Sequence, residues 1–145
     1  MTGFNHALTG AAIGLALQNP LLVVPVAFAS HFILDSLPHF NHPLYTFGNK
    51  HAWKLYALDA AIAITTVTIA ITFAPAMILP ILLGAVFAVL PDATLLHYYA
   101  KGKPKHWFHN FHIGIQWFER PVGILVESSY LIFVCTVIFS LKSFL

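Results

Sequence analysis

The sequence has very little charge. Only 8% of its 145 residues are Asp, Glu, Lys or Arg, whereas 59% are hydrophobic and the mean hydropathy is +0.79. Soluble domains carry about 25% charged residues, so this composition excludes an ordinary soluble class and indicates one integral membrane domain over residues 1–145. The net charge of +2 is too small to indicate a nucleic-acid partner.

Cysteine and several enzyme motifs are also scarce. The single cysteine, Cys135, lies in the last apolar run, which excludes an intramolecular disulfide and predicts a small core or lipid-facing side chain. The sequence has no CxxC, HExxH or Gly-rich phosphate loop, and nothing indicates a serine-based triad, so the enzyme classes that use them are not supported. Because the N-terminus lacks a basic region, we expect no cleaved signal peptide.

The apolar residues form runs typical of membrane helices. We predict an all-α integral membrane bundle of about five helices, built as two hairpin-like halves plus an interfacial helix and a final transmembrane helix. Similar runs at 33–39 (ILDSLPH) and 89–97 (VLPDATLLH) suggest a weak internal repeat that encloses a shared site. The predicted segments are 4–17, 21–37, 52–73, the run that ends at 90–92, the interfacial segment 106–118, and 122–145.

The first predicted helix carries small residues at spacings of three and four. Such residues let a second membrane helix approach closely, and they place His6 on the packed side. His6 is therefore expected to face protein rather than lipid. The small residues are Ala7, Gly10, Ala11 and Gly14.

The stretch Ser30–Pro43, SHFILDSLPHFNHP, adds histidines and an acid to the end of an apolar run. His31 and Asp35 are four residues apart and share a face of a helix, and His39 follows just past the break at Pro38. This is a spacing suited to metal ligands, and polar residues at such a place usually mark a functional site. The alternative is that the histidines only mark a helix end and that Asp35 caps or pairs locally.

Three further acids lie in or at the end of predicted membrane helices. Asp59 lies about two turns into the third helix and has no well-placed cation on that helix, so its partner must come from elsewhere. Asp92 follows Leu90 and Pro91 at the predicted end of the fourth helix, where it either caps the next segment or serves as a ligand. Glu127 lies about two turns into the final helix and has three open roles, as a ligand, a general base or a structural acceptor.

The segment His106–Phe118, HWFHNFHIGIQWF, combines histidines with aromatic residues. Trp107 and Trp117 favour an amphipathic helix at the membrane interface. His109 and His112 are three residues apart, share a helix face and are expected to lean over the site. The alternative is that they face lipid headgroups.

An alternating topology puts all of the polar candidates on one side of the membrane. Six of the seven basic residues share that side, so the positive-inside rule predicts a multi-pass protein of the cell membrane whose N-terminus and site are cytoplasmic and whose C-terminus is outside. The basic residues on that side are Lys50, Lys54, Lys101, Lys103, Lys105 and Arg120.

Several of these features together resemble the YdjM-like family of membrane-bound metal-dependent hydrolases, over most of the chain. They are the histidine that opens a small-residue helix, the Leu90-Pro91-Asp92 run, the His-x-x-x-Asp pair and the histidine pair after a loop. Where the family typically has Asp-x-Asp-His, this chain has Asp92 followed by Ala93 and Thr94. The resemblance implies a metal-dependent hydrolase.

A hydrolase is the first function that the residues themselves favour. A site lined by histidines and carboxylates suits a divalent metal, zinc first and manganese or iron as alternatives, which acidifies a water and polarises a phosphoryl or carbonyl oxygen. Glu127 or His39 would handle protons. The predicted ligands are His6, His31, Asp35 and Asp92, with Asp59, His109 and His112 as additional or supporting ligands.

The position of the site predicts its partners. A site at the level of the headgroups would contact membrane lipids and take an amphiphilic or lipid-linked substrate, through a phosphoester or another bond. The alternative function is a non-catalytic metal- or proton-binding membrane protein, either a transport or a structural subunit. The almost purely apolar far half of the bundle argues against transport.

Overall fold

A computed structural model describes residues 1–40, 52–100 and 106–142. In this part of the chain every regular element is helical, which confirms the all-α class. A short 3-10 turn, Pro75–Met77, precedes the fourth helix. The helices are α1 (Gly3–Leu17), α2 (Pro20–Asp35), α3 (Ala52–Phe73), α4 (Ile78–Ala100), α5 (Trp107–Ile115) and α6 (Gly123–Lys142). Most of the predicted polar connection 41–54 and the basic loop 101–105 lie outside the described residues.

Three helical segments are long and apolar enough to cross a membrane, namely Ala52–Phe73, Pro75–Leu95 and Gly123–Leu141. The helices α1 and α2 are shorter, with 15 and 16 residues. At about 1.5 Å per residue they extend about 22–24 Å, less than the roughly 30 Å of a hydrocarbon core. The three long segments support a membrane protein, and the five predicted crossings stay a prediction.

The short helix α1 is the centre of the bundle. It packs against α2, α3, α4 and α6, and α4 is its most extensive neighbour. Most of its side chains are buried, including the polar pair Asn5 and His6. The two halves of the chain therefore interlock through α1 and α4, and the prediction that His6 faces protein is confirmed.

Glycines allow α1 and α4 to cross in direct backbone contact. A Cβ atom added to Gly10 would lie 2.0 Å from the carbonyl oxygen of Gly84, and one added to Gly84 would lie 1.9 Å from that of Gly10. A Cβ atom on Gly14 would lie 2.2 Å from the carbonyl oxygen of Pro80. No larger side chain fits at these positions, so the predicted close packing of the small-residue face is confirmed.

A tight turn returns the chain from α1 to α2. Gln18 adopts a left-handed conformation with φ of 58°, and its N–H donates to the carbonyl of Gly14. The side chain of Asn19 accepts a hydrogen bond from the N–H of Leu21 at 3.0 Å, and Pro20 opens α2, where a missing N–H costs nothing. The predicted hairpin is confirmed, and it brings the end of α2 back to the start of α1.

The predicted helix end at residues 90–92 is wrong, because α4 continues to Ala100 with Pro91 inside it. Proline removes one N–H from the helical ladder and leaves the carbonyl of Phe87, four residues earlier, without that partner, but membrane helices tolerate this loss. Pro25 likewise lies inside α2. Asp92 therefore lies within a helix and does not cap a following one.

Candidate metal centre

Four of the predicted ligand residues meet at one point between α2, α4 and α5. One ligand atom from each lies within 4.8 Å of the ligand atoms of the other three. The helix α2 contributes His31 and Asp35, which confirms that these two side chains point in the same direction from one face of the helix. The helix α4 contributes Asp92, and α5 contributes His112.

The separations of these atoms fit a single metal ion. The Nε2 atoms of His31 and His112 are 2.9 Å apart, and Oδ2 of Asp35 lies 3.2 and 2.9 Å from them. Oδ1 of Asp92 lies 3.6 and 3.8 Å from the same two nitrogens. Metal bonds of about 2.0–2.2 Å separate ligand atoms by about 2.8–3.1 Å at right angles and about 3.3–3.6 Å in a tetrahedron. The three buried ligand atoms therefore have the spacing that one ion needs, and Oδ1 of Asp92 lies slightly farther away.

The ligand atoms also suit a cation. Nδ1 of His31 lies 2.7 Å from the carbonyl oxygen of Ala88, and in the neutral tautomer that donates this hydrogen bond Nε2 presents a lone pair. The carboxylates of Asp35 and Asp92 also present only acceptors. A single proton on Nε2 of His112 can bond to one of these three acceptors, whereas a divalent cation satisfies all four ligand atoms. The contact with Ala88 also orients the imidazole, as is usual for metal-bound histidine.

The centre is closed on three sides and open on the fourth. The side chains of His31 and His112 are 0% exposed and that of Asp35 is 1% exposed, whereas that of Asp92 is 36% exposed. Asp92 lies near the end of the span Pro75–Leu95. The centre therefore lies close to one end of the membrane-spanning segment and is accessible from the side of Asp92.

Polar groups surround the buried carboxylate of Asp35. Nε2 of His112 lies 2.9 Å from Oδ2, and Nε2 of His6 lies 3.0 Å from Oδ1. Gln116 also donates from Nε2 to Oδ2 at 2.9 Å. Gln116 was not among the predicted site residues, although its position four residues after His112 was an available signal.

His6 lies beside the four ligand residues rather than among them. Its Nε2 is 3.0 Å from Oδ1 of Asp35, an oxygen that also contacts the amino group of Met1 at 2.5 Å. Its ring stacks on that of His31, with the centroids 4.0 Å apart. A partner on the outer oxygen of a ligand carboxylate fixes the direction in which the inner oxygen points.

Asp59 lies at the amino end of α1, away from the four ligand residues. Its two oxygens accept hydrogen bonds from the N–H groups of Gly3 and Phe4, each at 2.9 Å. These groups belong to the first turn of a helix, where N–H groups have no partner within the helix. The partner of Asp59, which was predicted to come from outside its own helix, is thus the start of another helix.

Glu127 lies at the same helix start and is fully buried. Its carboxylate accepts hydrogen bonds from the N–H of Thr2 at 3.1 Å, from Nδ2 of Asn5 at 3.1 Å and from the N–H of Phe40 at 2.9 Å. The hydroxyl of Thr2 donates to it as well. Of the three roles left open for Glu127, these contacts correspond to the structural acceptor.

His39, the other predicted proton-handling residue, joins the end of α2 to the loop before α6. Its N–H donates to the carbonyl of Phe118 at 3.2 Å, and its carbonyl accepts from the N–H of Arg120 at 3.1 Å. Its Nε2 lies 3.4 Å from Oε1 of Glu119. None of these partners is one of the four ligand residues.

His109 lies on α5 but is not one of the four ligand residues. Its ring contacts the rings of His106 and Phe108, with centroids 5.5 and 6.0 Å apart. The structure therefore separates the predicted histidine pair, and only His112 reaches the centre.

No protein-family model, curated protein or solved structure matches this chain.

Proposed function

We propose that the protein is a membrane-embedded metal-dependent hydrolase that cleaves a phosphoester or another polar bond of a lipid-like substrate. The observation that carries the proposal is the set of two histidines and two aspartates whose ligand atoms converge, with one aspartate open to the outside. The sequence resemblance to the YdjM-like hydrolases points to the same class of reaction.

A divalent transition metal suits this ligand set, and we propose zinc, with manganese and iron as alternatives. Imidazole nitrogens and carboxylate oxygens are ligands common to all three ions. When bound, such an ion polarises a phosphoryl or carbonyl oxygen and makes a water more acidic.

The residues of the chain divide into those that hold the ion and one that faces the substrate. His31, Asp35 and His112 are buried and hold the ion from the protein side. Asp92 is half-buried beside the opening, where it would bind the ion and also accept a proton from an arriving water.

The surface beside the centre favours a substrate that arrives from a membrane. Trp107 at the start of α5 and Trp117 two residues after its end are 72% and 70% exposed, and Phe111 between them is 48% exposed. Exposed tryptophans are typical of the membrane interface. Since α5 also carries His112, the proposed centre opens next to a surface that suits lipid, and the membrane is the proposed partner.

Metal analysis combined with a hydrolysis panel tests this function. Protein purified in detergent is expected to hold about one transition-metal ion per chain and to hydrolyse phosphatidic acid or phosphatidylcholine in mixed micelles faster than the soluble compound p-nitrophenyl phosphate. Bound metal with no turnover of any of the three would favour the non-catalytic metal-binding protein instead. Protein that binds no metal at all would exclude both functions.

We also propose that the centre faces the cytoplasm of a cell-membrane protein, as the distribution of basic residues predicts. The contact between Gly14 and Pro80 puts the end of α1 near the start of the span Pro75–Leu95, opposite the centre. In a Cys135→Ala background, an impermeant thiol reagent is expected to label Asn19→Cys in intact cells. It is expected to label Arg120→Cys only after lysis, and external labelling of Arg120→Cys would reverse the orientation.

A further inference from the structure

We propose that Glu127 is a positioning residue, which holds in register three chain segments that each bring a group to the metal centre. This inference rests on the proposed metal centre but not on hydrolysis. Glu127 touches none of the four ligand residues in the described hydrogen bonds, yet it is among the most completely buried acids of the described chain. Its carboxylate is surrounded by donors from outside its own helix.

The first segment that Glu127 holds is the start of α1. Thr2 precedes this helix and Asn5 lies in its first turn, and both donate to the carboxylate. The next residue, His6, contacts the outer oxygen of Asp35. A shift of the helix start would therefore move His6 along the ligand carboxylate and turn the inner oxygen of Asp35 away from the ion.

The second and third segments meet at the other side of the carboxylate. The N–H of Phe40 donates to Oε1 of Glu127 and fixes the chain that leaves α2 just after Asp35. The adjacent residue, His39, makes two backbone hydrogen bonds with the loop that follows α5. This loop leads back to Gln116 and to His112 on α5, so the same carboxylate also limits the position of the ligand on α5.

Asp59 reinforces the hold on α1 from the opposite helix. It accepts from the N–H groups of Gly3 and Phe4, the two donors that follow the residue bound by Glu127. Two carboxylates thus face one helix start, whose positive dipole end and unpaired N–H groups favour negative charge. Asp59 therefore has the same positioning role, restricted to the single segment that carries His6.

The donor arrangement makes glutamine a poor replacement for Glu127. A carboxylate has two acceptor oxygens, and here each oxygen receives at least one N–H group. The amide of glutamine has one oxygen and one NH2 group, so one acceptor is lost together with the negative charge that the start of α1 favours. The attachment of at least one of the three segments is then weaker, whichever way the amide turns.

The test compares metal affinity in three full-length variants, Glu127→Gln, Asp59→Asn and Tyr130→Phe. Tyr130 is the matched control, because its hydroxyl contacts Oγ1 of Thr9 at 2.9 Å and so joins the same two helices, α1 and α6, away from the centre. The zinc dissociation constant is measured in detergent by competition with a chromogenic chelator, and the Tm of the metal-free protein is measured separately.

Loss of a residue that orients metal ligands typically weakens affinity by about 10–100-fold. We expect this increase in the zinc Kd for Glu127→Gln, an increase of about 10-fold for Asp59→Asn, and a change below about twofold for Tyr130→Phe despite a lower Tm. If Glu127→Gln does not fold, Asp59→Asn decides the question.

Two results would overturn the proposal. One is a folded Glu127→Gln or Asp59→Asn protein with the wild-type zinc Kd. The other is a Tyr130→Phe protein that loses as much zinc affinity per degree of lowered Tm as the Glu127→Gln and Asp59→Asn proteins do. The loss of affinity would then reflect general stability and not the position of the ligands. If the wild-type protein binds zinc but hydrolyses no substrate, the proposed hydrolase function is excluded, and the comparison of zinc affinities still tests the positioning role of Glu127.

Discussion

The Asp35→Asn protein is expected to lose its metal. Asp35 is the only one of the four ligand residues that contacts both histidine ligands at 3.2 Å or less, and it supplies one of two negative charges at the centre. Asparagine removes that charge and replaces one oxygen with an NH2 group. Since both oxygens of Asp35 accept hydrogen bonds, from Gln116 on one and His6 on the other, the amide group faces a donor in either orientation.

The expected loss is larger than that for any residue outside the ligand set. Removal of a supporting residue typically weakens metal binding by about 10–100-fold, so removal of a charged ligand is expected to weaken it by at least about 100-fold. Circular dichroism should then show that the variant is folded, and elemental analysis after gel filtration should show that it is nearly free of metal.

The control for Asp35→Asn is Glu119→Gln, the same chemical change at a carboxylate on the same end of the bundle. Glu119 is outside the ligand set and its side chain is 32% exposed. This variant is expected to keep its metal. An Asp35→Asn protein with unchanged metal stoichiometry would remove Asp35 from the centre. Loss of metal from both variants would show that the loss of any negative charge at this end of the bundle is enough to release the metal.

The sequence predicted the part of the site that depends on local spacing. His31 and Asp35 are four residues apart on one helix, so their shared direction followed from helix geometry alone. The hairpin between α1 and α2 was equally local, because Asn19 and Pro20 determine a turn by their own chemistry.

Contacts between distant segments were beyond this kind of reasoning. The helix end expected at Pro91 was wrong because a proline inside an apolar membrane helix removes one backbone hydrogen bond without ending the helix, and Pro25 likewise lies inside α2. His109 and His112 were indistinguishable in sequence, since both lie on the same face of a short helix. Only the placement of α5 over the end of α2 selects His112.

The acids Asp59 and Glu127 illustrate a second kind of difficulty. An acid in an apolar helix indicates that some partner exists, but backbone N–H groups occur at every position and leave no mark in the sequence. The structure supplies the partner as the start of α1, which the close glycine crossing with α4 holds at the centre of the bundle. A buried acid in such a small bundle is therefore as informative about helix ends as about chemistry.

Removal of the metal is expected to reduce the hydrolysis of lipid phosphoesters to background. A bound ion contributes several kcal/mol to the stabilisation of developing charge, which corresponds to a rate effect on the order of 10³-fold or more. Dialysis of the protein against a chelator such as dipicolinate, followed by removal of the chelator, gives the metal-free protein for this measurement. Activity on the phosphatidic acid or phosphatidylcholine of the panel is then followed during stepwise addition of single metals.

The order in which metals restore activity follows from the ligands. Two of the four ligand atoms are imidazole nitrogens, which suit transition metals and not the hard cations Mg²⁺ and Ca²⁺. We therefore expect zinc, manganese or ferrous iron to restore turnover and magnesium and calcium to leave it at background, with zinc effective at the lowest concentration. The Asp35→Asn protein should not respond to any of them at the concentrations that restore the wild type. Activity that persists after complete metal removal would exclude metal-dependent hydrolysis, and restoration by magnesium alone would exclude the two histidines as ligands.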